Sequence, residues 1–328
     1  MRQNPTIIRK IQQSERENRF FFGVDERERQ AMRNRTRSGE LARVFRNVYA
    51  AKTYYSSLSP RQRTLHLIRT LQLMHPTWRF ASLSAASIHG FEYSYELDRR
   101  SPIFLATQRS SNRHHTKGIE LVHVGKAQHS ICHGIQVTCV EQTLIDCATR
   151  LSFDQSLGIF DSALRSATTT KAKIAAATTS LSAKRSAIVD RVLHYADPDS
   201  ENGGESHCRA VIIEAGFTVP SLQQEFFDPD HPNTRYRVDF LWHLHGGRLV
   251  VLEYDGMEKY TNPAMTNNHN TRSVVDAERR RAKVLTGFGA TIVRTDYQEV
   301  IAKQPLIDKL ALAGIPPSAA TYVQYPIK

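Results

Sequence analysis

The sequence has few cysteines and lacks the segments that would place it in a membrane. No apolar run reaches the roughly 18–20 residues that a transmembrane helix needs, and the Arg-rich beginning has no apolar stretch of the kind found in a signal peptide. The four cysteines form no C-x-x-C pair, which argues against a disulfide set or a zinc site: Cys132, Cys139, Cys147 and Cys208. We therefore expect a cytoplasmic protein with reduced thiols and no membrane partner.

Acidic residues are scarce in the first part of the chain. Residues 1–100 contain 19 Lys and Arg against 9 Asp and Glu, whereas residues 101–200 contain 11 against 8 and residues 201–328 contain 14 against 15. The formal charge of +12 therefore lies mainly at the front. A basic module joined to a near-neutral one indicates binding to a polyanion such as DNA. The alternative is a basic surface that serves only solubility.

The first 56 residues predict a small helical module that ends in a strand. Thr6–Gln13 is expected to be helical, and Asp25 and Glu28 form the pattern of a capping box for a helix that runs to about Arg37. Leu41–Tyr49 then alternates apolar and basic residues, as the wing of a winged helix-turn-helix does. Arg and Asn side chains on such a helix reach phosphates and base edges of DNA, which gives these candidates for DNA binding: Arg29, Arg33, Asn34, Arg37 and Arg43. The alternative is a solvated amphipathic helix.

Residues 57–165 predict a second unit of mixed α and β structure. Helices are expected at 59–74, 82–89 and 140–150, with strands at 103–106, 119–124 and 135–139. Four motifs occur in order over residues 1–165: Gly39–Tyr49, Ser84–Gly90, Val137–Asp146 and Phe160–Arg165. On these motifs the front half resembles the antitoxins of AbiE-type abortive-infection systems. The resemblance implies a DNA-binding winged helix, a following α/β domain, and a cognate toxin or phage-defence partner.

The last part of the chain carries carboxylates where a buried hairpin should have none. Two apolar runs, 238–242 and 248–252, predict strands joined by a turn at 245–247. Asp239 lies inside the first run, and Glu253 and Asp255 end the second on one face. Buried carboxylates are costly unless paired, hydrogen-bonded or bound to a metal, and oxygen ligands suit Mg²⁺ or Mn²⁺. Lys259 follows four residues after Asp255.

Each of these residues also has a purely structural interpretation. Asp239 could pair with Arg237 or Arg294, and the two later acids could serve a turn before Gly256. Glu205 could complement the dipole of a helix start, and Lys259 could be a solvated side chain. The constellation is therefore more informative than any one of its members.

The spacing of the acids resembles the PD-(D/E)xK nuclease superfamily, and most closely its very-short-patch-repair-like branch, over about residues 203–302. The motifs are Glu205 on a helix, Val238-Asp239-Phe240, Glu253-Tyr254-Asp255-Gly256 and the strand Gly289–Arg294. The resemblance implies Asp239, Glu253 and Asp255 as metal ligands, with Glu205 in the outer shell. Asp255 replaces the lysine of the usual motif, so Lys259, Lys283 or Arg281 would supply the positive charge of that lysine.

Together these patterns predict an α/β (α+β) protein with several domains. We expect a winged helix-turn-helix at 1–56, an antitoxin-like α/β domain at 57–165, a helical connector at 166–202 with a linker at 197–204, and a restriction-endonuclease-like α/β/α domain at 203–315. The predicted function is a DNA-binding protein with a Mg²⁺- or Mn²⁺-dependent endonuclease domain, whose partner is double-stranded DNA. The alternatives are a repressor or antitoxin with a non-catalytic nuclease-like domain, and a partner-binding module in phage defence.

Overall fold

The chain folds into two compact units of mixed α and β structure. A computed structural model describes residues 5–108, 117–125, 129–256 and 271–318. The first unit comprises Met1–Leu151 and Thr168–Leu193, and the second comprises Ser152–Ala167 and His194–Lys328. The mixed fold class agrees with the prediction from sequence. Within the described ranges, no helix is long and apolar enough to cross a membrane.

The first unit begins with two helices and a small antiparallel sheet of order β1-β3-β2. The elements are α1 (Pro5–Arg16), β1 (Phe21–Phe22), α2 (Glu26–Arg37), β2 (Leu41–Phe45), β3 (Val48–Ala51) and α3 (Lys52–Ser57). The single wing strand expected over 41–49 was wrong, because β2 and β3 form a hairpin that turns at Arg46 and Asn47. Asn47 has a φ of 58°, a left-handed conformation that Asn adopts more readily than most residues.

The start of α2 follows from its capping residues. Asp25 accepts a hydrogen bond from the backbone N–H of Glu28 at 2.8 Å, while Glu28 accepts one from the N–H of Val24 at 3.0 Å. In the predicted capping box Glu28 would accept from the N–H of Asp25. It accepts instead from the N–H of Val24, one residue earlier. The apolar side of α2 buries Met32 against α1 and the sheet. That packing leaves the opposite side of the helix toward solvent.

The rest of the first unit surrounds two further strand pairs. Its elements are α4 (Pro60–Met74), α5 (Ser82–His89), α6 (Tyr95–Arg100), β4 (Ile103–Thr107), β5 (Ile119–His123), β6 (His129–Cys132), β7 (Ile135–Thr138), α7 (Val140–Ala148), α9 (Lys171–Thr178) and most of α10 (Ala183–Tyr195). Strands β4 and β5 are parallel, and β6 and β7 are antiparallel. Phe80 makes single bridges to Leu105 and Val137, so it links both strand pairs.

The second unit is built on a four-stranded sheet of order β11-β10-β9-β8. Strands β10 and β11 are parallel, and the other neighbours are antiparallel. The elements are α8 (Phe153–Arg165), α11 (Gly203–Glu214), β8 (Ser221–Phe227), β9 (Arg235–His243), β10 (Leu249–Asp255), α12 (Thr271–Gly287), β11 (Ala290–Asp296), α13 (Tyr297–Ala302) and α14 (Gln304–Leu312). A single 3₁₀ turn at His245–Gly247 joins β9 to β10.

Both faces of this sheet are covered by helices. On one face Val211 of α11 and Leu306 of α14 pack with Phe240 and Leu252. On the other face Leu285 of α12 packs with alternate strand residues, including Leu241 and Val251. Because side chains alternate along a strand, Glu253 of β10 shares the α12 face with Val251.

Helix α8 belongs to the second unit, although the predicted boundaries assigned it to the middle domain. The buried guanidinium of Arg209 on α11 donates to the carboxylate of Asp161 on α8 at 2.6 Å. Residues 197–204, which were expected to form a linker, are also bonded to α8. The N–H of Asp197 donates to Asp161 at 2.8 Å, and Arg165 donates to the buried Ser200 through the serine's carbonyl oxygen.

Candidate active site

Strand pairing brings Asp239 and Glu253 together at one end of the sheet. The pairing of antiparallel β9 and β10 ends at Phe240 and Leu252, so Asp239 and Glu253 are the residues next to this last pair. The N–H of Tyr254 donates a hydrogen bond to Oδ2 of Asp239 at 2.9 Å. Burial raises the pKa of Glu253 and the charge of Asp239 contributes to that rise, so the two carboxylates lie close enough to interact. The two acids therefore form the centre of the candidate site.

The sequence also predicted Asp255 and Lys259 as site residues. Asp255 is the last residue of β10, half-buried, and pairs in register with Asp296 of β11. Lys259 lies outside the described residues. The other candidates for the missing positive charge, Lys283 and Arg281, lie among the described residues.

Glu205 lies in the first turn of α11, whose start is capped by Asn202. The side-chain oxygen of Asn202 accepts from the N–H groups of Gly204 and Glu205 at 2.9 and 3.0 Å. The carboxylate of Glu205 is buried and accepts from Glu201 N–H at 2.9 Å, from Asn202 at 2.6 Å and from Gln223 at 3.0 Å. Burial raises the pKa of Glu205 to about 7, and the charge of Asp239 adds to that rise.

Helix α11 approaches β10 closely enough to require a glycine. A Cβ added to Gly204 would lie 2.7 Å from ring atoms of Tyr254, which is closer than carbon atoms can pack. The absence of a side chain at Gly204 thus lets the helix start rest on the Tyr254 ring. Tyr254 also supplies the N–H that holds Asp239, so the same residue orients both parts of the site.

Gln223 is a site residue that the sequence did not indicate. Leu222 pairs with Phe240 and Gln224 with Val238, so the register sets Gln223 of β8 across from Asp239. Its φ of 49° is unusual for a strand and for a residue other than glycine. Its amide nitrogen donates to Glu205, whereas its buried Oε1 has no hydrogen-bond partner among the described residues. Strained backbone with an unsatisfied polar atom is common at functional sites.

Glu253 is held by an arginine from the facing helix. Nη2 of Arg281 on α12 lies 2.6 Å from Oε1 of Glu253, and Nη1 donates to Oε2 at 3.2 Å. Arg294, the register partner of Glu253 on β11, lies 3.9 Å from the same carboxylate and also pairs with Glu278. Two guanidinium groups and two carboxylates thus form one network beside Asp239.

The electrostatics of the site resist full ionisation of its acids. Burial raises the pKa of Asp239, although the Tyr254 N–H and Arg281 act against that rise. Burial likewise raises the pKa of Glu253, with Arg281 and Arg294 lowering it. A buried carboxylate with a raised pKa gains stability from any cation that reaches it.

The donor chemistry of the site fits a hard divalent ion in kind. Asp239 and Glu253 offer carboxylate oxygens, and Gln223 offers an unsatisfied amide oxygen nearby in register. However, among the described residues no group of three or more His, Cys, Asp or Glu side chains is assembled as a metal cluster. Glu253 is shared with Arg281, so an ion at this site would have to share or take over that carboxylate.

The residues predicted to bind DNA lie mainly along α2. Arg29, Arg33 and Arg37 follow one another at intervals of four, so they share a face of the helix. Arg29 bends back to the carbonyl oxygens of Gly23 and Val24 at 3.3 and 3.1 Å. Arg33 pairs with Glu26 and with Gln30. Two of the three arginines therefore already have partners within the protein.

The other predicted contacts are more open. Asn34 is exposed and accepts from Gln30 at 3.0 Å. Arg37 is exposed near the end of α2, and Arg43 is exposed on β2, where its Nε lies 3.4 Å from the carbonyl of Phe45. These side chains therefore lie on exposed parts of both the helix and the hairpin.

Comparisons with known proteins give relatives without a described activity. The chain is 26% identical over 251 residues to an uncharacterised protein of Mycobacterium tuberculosis strain H37Rv, covering 74% of this chain and 84% of that protein. An uncharacterised protein of strain CDC 1551 matches to the same extent. No family model and no solved structure matches the chain.

Proposed function

We propose that this protein binds double-stranded DNA and that its second unit is a metal-dependent DNA endonuclease. The observation that carries the proposal is the pair Asp239 and Glu253, which follow the last paired residues of neighbouring strands, with Asp239 held by the N–H of Tyr254. Their placement on a sheet covered by helices on both faces agrees with what the PD-(D/E)xK resemblance implies. The basic winged module in the first unit would supply DNA affinity.

The roles of the residues follow from their positions. Asp239 and Glu253 would hold Mg²⁺ or Mn²⁺, and Asp255 would add a ligand or orient water. When bound, such an ion polarises the phosphate and lowers the pKa of its water. Glu205 has a pKa that burial raises to about 7, close to neutral pH. It can therefore accept or release a proton beside the site at little cost.

Cleavage of DNA tests this proposal directly. Supercoiled plasmid and short labelled duplexes would be incubated with the full chain in Mg²⁺, Mn²⁺ or EDTA. We expect cleavage only with the ion, and its loss in Asp239→Asn and Glu253→Gln. Glu225→Gln is the matched control, because Glu225 lies on β8 of the same sheet and pairs with exposed Arg235. Cleavage that survives both site variants would refute the assignment of the site.

A second function is favoured by the pairing of Glu253 with Arg281. A carboxylate neutralised by arginine suits a nuclease-like domain that binds without cutting, as in a repressor or antitoxin with a cognate toxin partner. This alternative predicts DNA binding that is unchanged by Mg²⁺ or EDTA and no product in any cleavage assay. The same incubations, read by gel shift, separate the two functions.

A further inference from the structure

Arg281 occupies the position in the site where positive charge is needed. Its guanidinium spans both oxygens of Glu253, at 2.6 and 3.2 Å, and its Nη2 also donates to the carbonyl oxygen of Arg237 at 2.8 Å. The Arg237 carbonyl belongs to β9, two residues before Asp239. Arg281 is thus fixed between the two strands that carry the predicted ligands.

A divalent ion on Glu253 and the present position of Arg281 are in conflict. Two cations on one half-buried carboxylate repel each other, and the repulsion is stronger than in water because the surroundings are less polar. The Glu253 side chain is 12% exposed and that of Arg281 is 25% exposed, so both are partly shielded from solvent. The remaining exposure of Arg281 gives the long side chain a path toward solvent.

We propose that Arg281 and the divalent ion compete for Glu253, and that binding of the ion releases Arg281 to contact a DNA phosphate. The proposal rests on the proposed metal site and names the residue that replaces the lysine displaced by Asp255. A guanidinium matches phosphate geometry through paired N–H donors. In the absence of the ion, Arg281 acts as a positioning residue that neutralises Glu253.

Metal affinity measured without any reaction tests the competition. The free Mn²⁺ signal in electron paramagnetic resonance gives the dissociation constant for the full chain and for Arg281→Gln. We expect the variant to bind Mn²⁺ about three- to fivefold more tightly, because loss of a partly exposed ion pair with the competing cation changes affinity by about that factor. Arg281→Lys, which keeps the charge but loses the two-pronged contact, should lie between them.

The matched control removes one positive charge from the same sheet outside the site. Arg235→Gln does this, since exposed Arg235 on β9 pairs with Glu225. Its Mn²⁺ affinity should stay within about twofold of the unmodified chain, because an exposed charge is screened by water and salt. Circular dichroism in EDTA would verify that each variant is folded.

Binding of a duplex in Ca²⁺, used in place of Mg²⁺, tests whether Arg281 contacts DNA once it is released from Glu253. We expect Ca²⁺ to tighten DNA binding by the unmodified chain and by Arg235→Gln, and to give a gain at least threefold smaller in Arg281→Gln. An equal gain in Arg281→Gln would overturn the phosphate role.

The possible results separate the inference from the proposed function. If the unmodified chain and Arg281→Gln bind Mn²⁺ equally, the competition is wrong while the metal site stands. If only Arg281→Gln binds, the competition is supported and the unmodified chain is not a metal-dependent enzyme under those conditions. If neither binds, freeing Glu253 does not create a site, and both proposals fall.

Discussion

Asp146 shows how a single buried acid makes the first unit sensitive to pH. It lies in α7 without exposure to solvent, where Gln142 donates to its Oδ1 at 2.8 Å and its Oδ2 has no partner among the described residues. Burial raises its pKa to about 7, although Arg150 and Arg185 act in the opposite direction. The folded chain therefore holds this proton to higher pH than the unfolded chain does, and stability is lost as pH rises from about 4 to about 7.

Asp146→Asn should remove that loss of stability. We expect the free energy of unfolding of the variant, relative to the unmodified chain, to rise by about 2 kcal/mol between about pH 5 and pH 7. Above about pH 8 the difference should stay constant, because the carboxyl group is then ionised in both states. Urea unfolding at several pH values measures it, with Asp190→Asn as control because Asp190 is exposed. Parallel pH profiles for Asp146→Asn and the unmodified chain would contradict the prediction.

The pair of Arg209 and Asp161 is the corresponding feature of the second unit. Both side chains are almost fully buried, and Arg209 also donates to the carbonyl oxygen of Tyr195 at 2.6 Å. Removing one member of a buried ion pair leaves an uncompensated charge, which costs about 3–5 kcal/mol. We expect Arg209→Met to be destabilised by that amount in urea unfolding, and Arg209→Met with Asp161→Leu to recover a large part of it. A loss below about 1 kcal/mol would mean that the pair contributes little.

At the scale of elements, α2 is the structure on which DNA binding is predicted to depend. Arg33→Ala with Arg37→Ala should weaken binding of a duplex by about tenfold or more, because these side chains would contact phosphates or base edges. Lys171→Ala with Lys173→Ala removes the same charge from α9 and serves as the control. Fluorescence anisotropy at fixed salt compares the two. Equal losses of affinity would show that only net charge matters.

Glu26 adds a prediction that follows from the structure alone. It pairs with Arg33 on the exposed side of α2 and also lies 3.7 Å from Arg29. If this face meets DNA, the acid both repels phosphates and occupies an arginine. Glu26→Gln should therefore tighten duplex binding several-fold. Glu17→Gln, an exposed acid paired with Arg19, is the control. An unchanged affinity in Glu26→Gln would indicate that another face binds DNA.

At the scale of the whole molecule, the second unit requires a segment that lies before the expected linker. A fragment that starts at Gly203 lacks Asp161 and Asp197, so Arg209 loses its ion-pair partner and its anchor at Tyr195. We expect this fragment to be less stable by several kcal/mol than one that starts at Ser152, which keeps α8. Thermal unfolding compares the fragments. Equal melting temperatures would show that α8 is dispensable.

Local patterns in the sequence were sufficient to locate many elements. The end of α2 near Arg37, the helix after Pro60 and the two strands around the His245–Gly247 turn lie close to their predicted positions. Capping residues, glycines and apolar periodicity act over a few residues, so their effect can be predicted from the sequence without knowledge of tertiary contacts. The alternation of β9 and β10 also predicted that Glu253 and Asp255 share a face.

The tertiary structure decided what those elements contact. Strand β1 pairs with β3 and extends the β2–β3 hairpin to three strands, which an alternating run cannot reveal by itself. The assignment of α8 to the second unit depends on the buried contact between Asp161 and Arg209, which are 48 residues apart. Gln223 became a site residue only through its left-handed φ and its contact with Glu205.

The sequence by itself determined the mixed α and β class, the basic front and the set of acids that the second sheet carries. Only the tertiary structure decided that Arg281, 28 residues beyond Glu253, neutralises that acid. The physical reason is that composition and periodicity fix which side chains face the interior, whereas the partner of a buried charge is chosen by the packing of distant elements. In the proposed metal site, that partner would decide whether Glu253 is open to an ion.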